Sequence, residues 1–179
     1  IDNAIETHKI WPLRAILTTL DYTDNEDYVI KNDIHVPEHK LWHLEPSITV
    51  NRNAADMVNQ IKPLLENARQ VILIDRNFSL VDKHGHPVNR FKNVLLEILN
   101  TISNKAYGPP IKTLVYHVGD KFRKEVLKDH CISYLKKDIP GEMILKFAIW
   151  PKEELHDRFV ITDIGGVDFG QGLDEWTGY

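Results

Sequence analysis

The chain has a single cysteine, Cys131, in 179 residues. No internal disulfide can therefore form, and a reducing, cytoplasmic setting is the expectation. No apolar run approaches the ~20 residues that span a bilayer, and no basic-plus-apolar signal segment opens the chain. Charge of one sign is not in excess either: 22 Lys and Arg stand against 26 Asp and Glu, for a net charge of −4, which excludes a histone-like or polybasic protein. Gly/Ser linkers, low-complexity tracts and internal repeats are missing as well, so one domain spanning 1–179 is the default. Aromatics make up only 9% of the residues. Trp11, Trp42, Trp150 and Trp176 are too scattered in the sequence to suggest a platform for stacking single-stranded bases. The first residue is Ile1 rather than Met, which fits a piece excised from a longer protein.

What is present is enough apolar material, 42% of the residues, for a real core; a chain of ~150 residues buries roughly 70% of its unfolded surface. The charges are unevenly placed. Residues 1–50 carry four basic against nine acidic side chains, residues 51–137 fifteen against eight, and residues 153–175 one against seven. A polyanion would meet the middle of the chain more readily than either end.

Residues 13–20 and 28–34 read as strands joined by the acidic turn Asp21–Asp27, giving an N-terminal β-rich extension over 1–50. Pro37 and Pro46 break the pattern beyond them. From residue 51 the periodicity sharpens. Ala54, Met57, Val58, Ile61, Leu64, Leu65 and Ala68 recur at helical spacing behind a capping Asn53, although Pro63 falls where proline kinks or splits a helix. Val71–Ile74 is a buried strand ending at Asp75. A polar loop with His84-Gly85-His86-Pro87 leads to a helix over 90–102. Ile111–His117 is the next strand, and Asp120 is placed to cap a helix running to Lys137. Strands follow at Met143–Trp150, Phe159–Thr162 and Val167–Phe169, the last two around a Gly165-Gly166 turn. The order α-β-α-β-α-β-β-β over the core, 51–179, predicts an α/β sandwich with a mixed sheet flanked by helices.

One constellation carries chemistry. His156 and Arg158 are two apart, so on a strand they share a face. An imidazole and a guanidinium projecting together can engage one phosphate, the ring attacking or donating a proton while Arg holds the oxygens. Asp163 lies seven residues after the His and Gly170 seven after that. Asp75, at the end of a buried strand where open-sheet sites form, is a candidate for the same pocket or else a loop cap. The bland alternative is a surface His beside an Arg paired to Glu153, Glu154 or Asp157.

These residues resemble the motif of the phospholipase D superfamily, His-x-Lys-x4-Asp-x6-Gly-Ser. His156, Asp163 and Gly170 match in type and spacing, Arg158 stands for the Lys and Gln171 for the Ser. The Asn that often follows would fall on Leu173. His156-Asp157-Arg158 with Gly170-Gln171-Gly172-Leu173-Asp174 is also similar to the phospholipase-D-like C-terminal domain of MIT-domain proteins and its bacterial relatives. Less specifically, so are Val71–Phe78 and Asn89-Arg90-Phe91-Lys92. The resemblance implies a phospholipase-D-like fold over 51–179 and metal-independent phosphodiester chemistry. His156 would be nucleophile or acid, Arg158 the phosphate clamp, Asp163 an orienting carboxylate, and Gln171 and Asp75 further phosphate-site residues. A full site of this type needs two facing His motifs, so it implies either a homodimer or a partner half in a missing region, with nucleic acid as the favoured substrate. The competing implication is a non-catalytic dimerising module that binds phospholipid or a protein partner. No cofactor or metal is required.

Other candidates weigh less. His35, His39 and His43, with Glu38, have metal-like spacing, but Pro37 interrupts any helix there and solvated loop histidines are the expectation. Cys131 sits on an apolar helix face and reads as core rather than nucleophile. Lys121, Arg123, Lys124 and Lys128 read as a solvated helix face, with a nucleic-acid backbone patch as the alternative.

Overall fold

The computed structural model describes residues 1–10, 15–22, 27–31, 47–105, 110–141 and 143–175. The chain divides into two units, Ile1–Thr49 and Val50–Tyr179.

The first unit opens with a helix that the sequence pattern did not announce, α1 (Asp2–Ile10), which buries Ile5. Strands β1 (Ile16–Thr18) and β2 (Val29–Lys31) fall within the expected stretches and pair in parallel, Ile16 beside Val29. They are therefore not the two arms of a hairpin, and the extension is not purely β. The imidazole of His8 stacks on Tyr28 at 3.7 Å between ring centres. His35, His39 and His43, with Pro37 and Glu38, lie outside the described residues.

The second unit runs α2 (Ala54–Asn67), β3 (Val71–Asp75), α3 (Arg90–Ser103), β4 (Thr113–Gly119), α4 (Lys124–Tyr134), β5 (Ile144–Trp150), β6 (Phe159–Thr162) and β7 (Gly165–Asp168). It is an α/β arrangement with one mixed five-stranded sheet, ordered β5-β4-β3-β6-β7, and flanking helices. The β5, β4 and β3 neighbours are parallel, while β6 runs antiparallel to β3 and to β7. Register aligns Phe147, Tyr116, Leu73 and Val160 across one face. That face joins the apolar stripes of α2, α3 and α4 in a single core, in which Leu65, Ile98, Leu99, Leu114 and Leu135 are fully enclosed.

Local chemistry explains the boundaries. The Asn53 side chain accepts the Asp56 N–H at 2.8 Å and starts α2. The helix continues through Pro63 as one element, so the expected break does not occur. Asp120 does not cap α4, which begins four residues later behind Arg123. Its carboxylate accepts the Lys152 N–H instead, at 3.2 Å. The last hairpin turns at Asp163-Ile164, with Gly165 and Gly166 inside β7 rather than in the turn. Gly119 ends β4 because a Cβ there would lie 2.7 Å from the Arg76 carbonyl oxygen. This close approach brings the chain after β3 against the end of β4. No helix among the described residues is long and apolar enough to cross a membrane.

Candidate functional site

Parallel strands β3 and β4 end side by side, and the C-terminal edge they form is where open α/β sheets place ligands. Asp75 closes β3 there with its carboxylate fully buried. One oxygen accepts the Leu173 N–H and the other the Asn77 N–H, both at 2.8 Å. Burial pushes its pKa above the usual carboxylate value. The two backbone bonds and the nearby positive charge of Arg158 work in the opposite direction. Behind it, burial holds the Tyr116 phenol protonated well above its usual range, reinforced by the charges of Asp75 and Asp174.

The segment Gly170–Glu175 is strapped across this edge by side chains far away in sequence. Arg52, just before α2, donates from Nε to the Asp174 carbonyl at 2.9 Å and from Nη2 to the Gln171 carbonyl at 2.8 Å. The same Nη2 bonds the Asp174 carboxylate, whose other oxygen lies 3.6 Å from Arg90. Glu175 accepts the Ala54 N–H at the start of α2 at 2.9 Å, and Asn93 of α3 at 2.6 Å. A carboxylate at a helix N-terminus satisfies an otherwise orphaned donor and complements the helix dipole. Leu173 is buried at the centre of the strap. Gly172 has φ +119°, and a Cβ there would come within 2.8 Å of an Asp174 carboxylate oxygen.

His156 and Arg158 lie beside the strap, in the irregular stretch between a short turn at Lys152–Glu154 and β6. They are not on a strand, so strand alternation does not orient them. The His156 ring is exposed and has no hydrogen-bond partner among the described residues. Arg158 is half-buried and donates from Nη1 to the Gly170 carbonyl at 3.4 Å, while its Nε–H is enclosed and meets no acceptor. Arg76, directly after Asp75, repeats the pattern. Its Nη1 reaches the Leu155 carbonyl at 3.5 Å and its Nε–H is likewise enclosed without an acceptor. Two guanidiniums with unspent donors thus border the segment that carries His156. Buried donors are almost always satisfied, and no described residue supplies an acceptor to either Nε–H.

The remaining sequence candidates separate. Asp163 sits at the opposite end of β6, where it accepts the Arg69 and Gln70 N–H groups at 2.7 and 3.2 Å. These bonds, Arg69 first, hold its pKa below the usual carboxylate value. It fastens the loop after α2 and is not brought to His156. Gln171 contributes its backbone carbonyl to Arg52, and its side chain is exposed. Cys131 is half-buried on α4, and burial pushes its thiol pKa up to about 11. Among the described residues no group of three or more His, Cys, Asp or Glu side chains could hold a metal ion.

Sequence reasoning missed Arg52, Arg76 and the structural duties of Asp174 and Glu175. It also missed Trp150 stacking on His117, 5.8 Å between ring centres, with the indole N–H donated to His117 Nδ1 at 2.8 Å. The partners of Arg52 are 119 and 122 residues away, so no local pattern betrays them. No protein-family model matches the chain, and no curated protein matches it.

Proposed function

We propose that the C-terminal edge of β3 and β4 binds a phosphodiester, with Arg158 and Arg76 as the anion clamp and His156 as the reactive imidazole of a phospholipase-D-like site. The observation that carries this reading is the pair of enclosed Nε–H groups on Arg76 and Arg158, without an acceptor among the described residues, flanking the segment of the exposed His156. Guanidinium geometry suits two phosphate oxygens at once. The basic middle of the chain, which contributes Arg76, makes nucleic acid the favoured substrate. In a homodimer, His156 Nε2 displaces an ester oxygen from phosphorus, and an N–P bond forms as the P–O bond breaks. The departing alkoxide takes its proton from His156 of the partner subunit. Water then attacks phosphorus, gives its proton back to that second imidazole, and breaks the N–P bond.

One observation favours a second reading, a non-catalytic dimerising module for phospholipid or a protein partner. The carboxylates of Asp163, Asp174 and Glu175 are spent on holding the fold, and the one side-chain amide of the strap, on the exposed Gln171, is a weak donor for steadying a transition state. A single experiment separates the two readings. With a nucleic-acid substrate in excess EDTA, cleavage persists, disappears in His156→Ala, and in Arg158→Ala loses both affinity and turnover. Metal-dependent cleavage contradicts the phosphohistidine route. Absence of turnover, with lipid binding insensitive to His156→Ala, establishes the module instead.

A further inference from the structure

Among the described residues, strand β5 is an edge of the five-stranded sheet and pairs with β4 alone. The Ile144 N–H points inward to the Lys112 carbonyl, at 2.8 Å. By the two-residue alternation of a parallel ladder, the backbone groups of Leu145, Phe147 and Ile149 turn outward. No described residue hydrogen-bonds to them. The side chains of these same three residues form one wall of an apolar groove of about 320 Å³, whose other wall is α4 with Leu127, Cys131 and Leu135. Lys124, Lys128 and Lys136 also line it; all three are exposed, and none forms an ion pair with a described residue.

An unpaired backbone edge, an apolar slot beside it and a one-signed rim specify an occupant. We infer that this edge captures an extended peptide segment of a partner protein that adds as a sixth strand beside β5. Its alternate apolar side chains fill the groove, and its acidic residues face the three lysines. A helix or an acyl chain would use the slot but leave the backbone edge unbonded. A second copy pairing edge to edge would bring lysine rims of like charge together. Seven residues of edge strand with only Lys146 as a charged member are otherwise an aggregation hazard, which such a partner removes. This site is separate from the Arg76 and Arg158 edge and does not depend on its reading.

The test uses the full chain against a displayed library of random linear peptides. Counter-selection uses the triple variant Lys124→Glu, Lys128→Glu, Lys136→Glu. Enriched peptides should alternate apolar residues and carry Asp or Glu, and should bind the triple variant roughly tenfold or more weakly. On binding, amide hydrogen exchange should slow at Leu145, Phe147 and Ile149. Enrichment of basic or unpatterned peptides, failure of any peptide to enrich, or binding that leaves those three amides unprotected each overturns the inference. Concentration-dependent self-association that protects the same amides without peptide overturns it as well, in favour of a second copy.

Discussion

Asp174 and Arg52, replaced singly and together, probe the strap that shapes the candidate site. The Asp174 side chain is only 9% exposed and bonds Arg52, itself 25% exposed, while Arg90, at 3.6 Å, is half in solvent. The Arg90 contact contributes little, ~0–1 kcal/mol. The Arg52 pair is charge-assisted and largely shielded, worth ~1.5–3 kcal/mol, so Asp174→Ala should cost ~2–4 kcal/mol. Arg52→Ala also strips the Asp174 and Gln171 carbonyls of their donor and leaves a buried carboxylate facing only Arg90. Its cost should be larger, ~3–5 kcal/mol. In the double variant the shared interaction is lost once rather than twice. Urea denaturation of the four proteins at neutral pH should therefore give a coupling energy of ~1.5–3 kcal/mol. Costs that add to within ~0.5 kcal/mol would refute the clamp. Because the strap presents the Gly170 carbonyl to Arg158, both single variants should also weaken phosphate binding.

Three further outcomes follow from the same geometry. Gly172→Ala places a Cβ on a left-handed residue and against the Asp174 carboxylate, so it should cost ~1–3 kcal/mol in denaturation. Glu175→Ala leaves the Ala54 N–H and the Asn93 amide without their acceptor and should cost ~1 kcal/mol, seen as a lowered Tm. Asp75 binds its proton more tightly folded than unfolded, so its contribution to stability is fully present below the ordinary carboxylate pKa. That contribution is lost as pH rises from ~4 through the raised value. The stability of wild type minus that of Asp75→Asn should accordingly fall as pH rises from about 4 toward neutrality. A difference that is flat or rises with pH contradicts a desolvated Asp75.

The element order of the second unit was legible chiefly because α2 and α3 each bury an apolar stripe at helical spacing, while α4 buries only Leu127. Phe91, Val94, Leu95, Ile98 and Leu99 in α3 are the clearest case. Boundaries set by tertiary contacts were not legible. Asp120 looks like a cap in the sequence, but its carboxylate is drawn to Lys152 across the end of the sheet. Gly165-Gly166 looks like a turn, but lies in β7, where a Cβ on Gly166 would lie 3.5 Å from the Val160 carbonyl oxygen. In the first unit, α1 has few apolar residues and only Ile5 buried, so its period leaves little trace. At the site, His156, Arg158 and Asp75 could be picked out by residue type and position, and Asp75 and Arg158 do share an edge. Asp163 fitted a spacing but lies at the wrong end of β6. Arg76 escaped notice because its significance comes from the approach of Gly119 and Leu155, both distant in sequence.

The central claim is that Arg76 and Arg158 hold a phosphate beside His156, and the Nε–H signals of the arginines report on it directly. Nitrogen–proton NMR spectra of the full chain, titrated with dimethyl phosphate, should show the Arg76 and Arg158 Nε–H resonances shifting together along one saturable curve. Arg158→Ala should weaken the curve at Arg76, and the Arg52 signal, already committed to the strap, should stay in place. Unchanged Arg76 and Arg158 signals at phosphate concentrations that move other arginines would contradict the account.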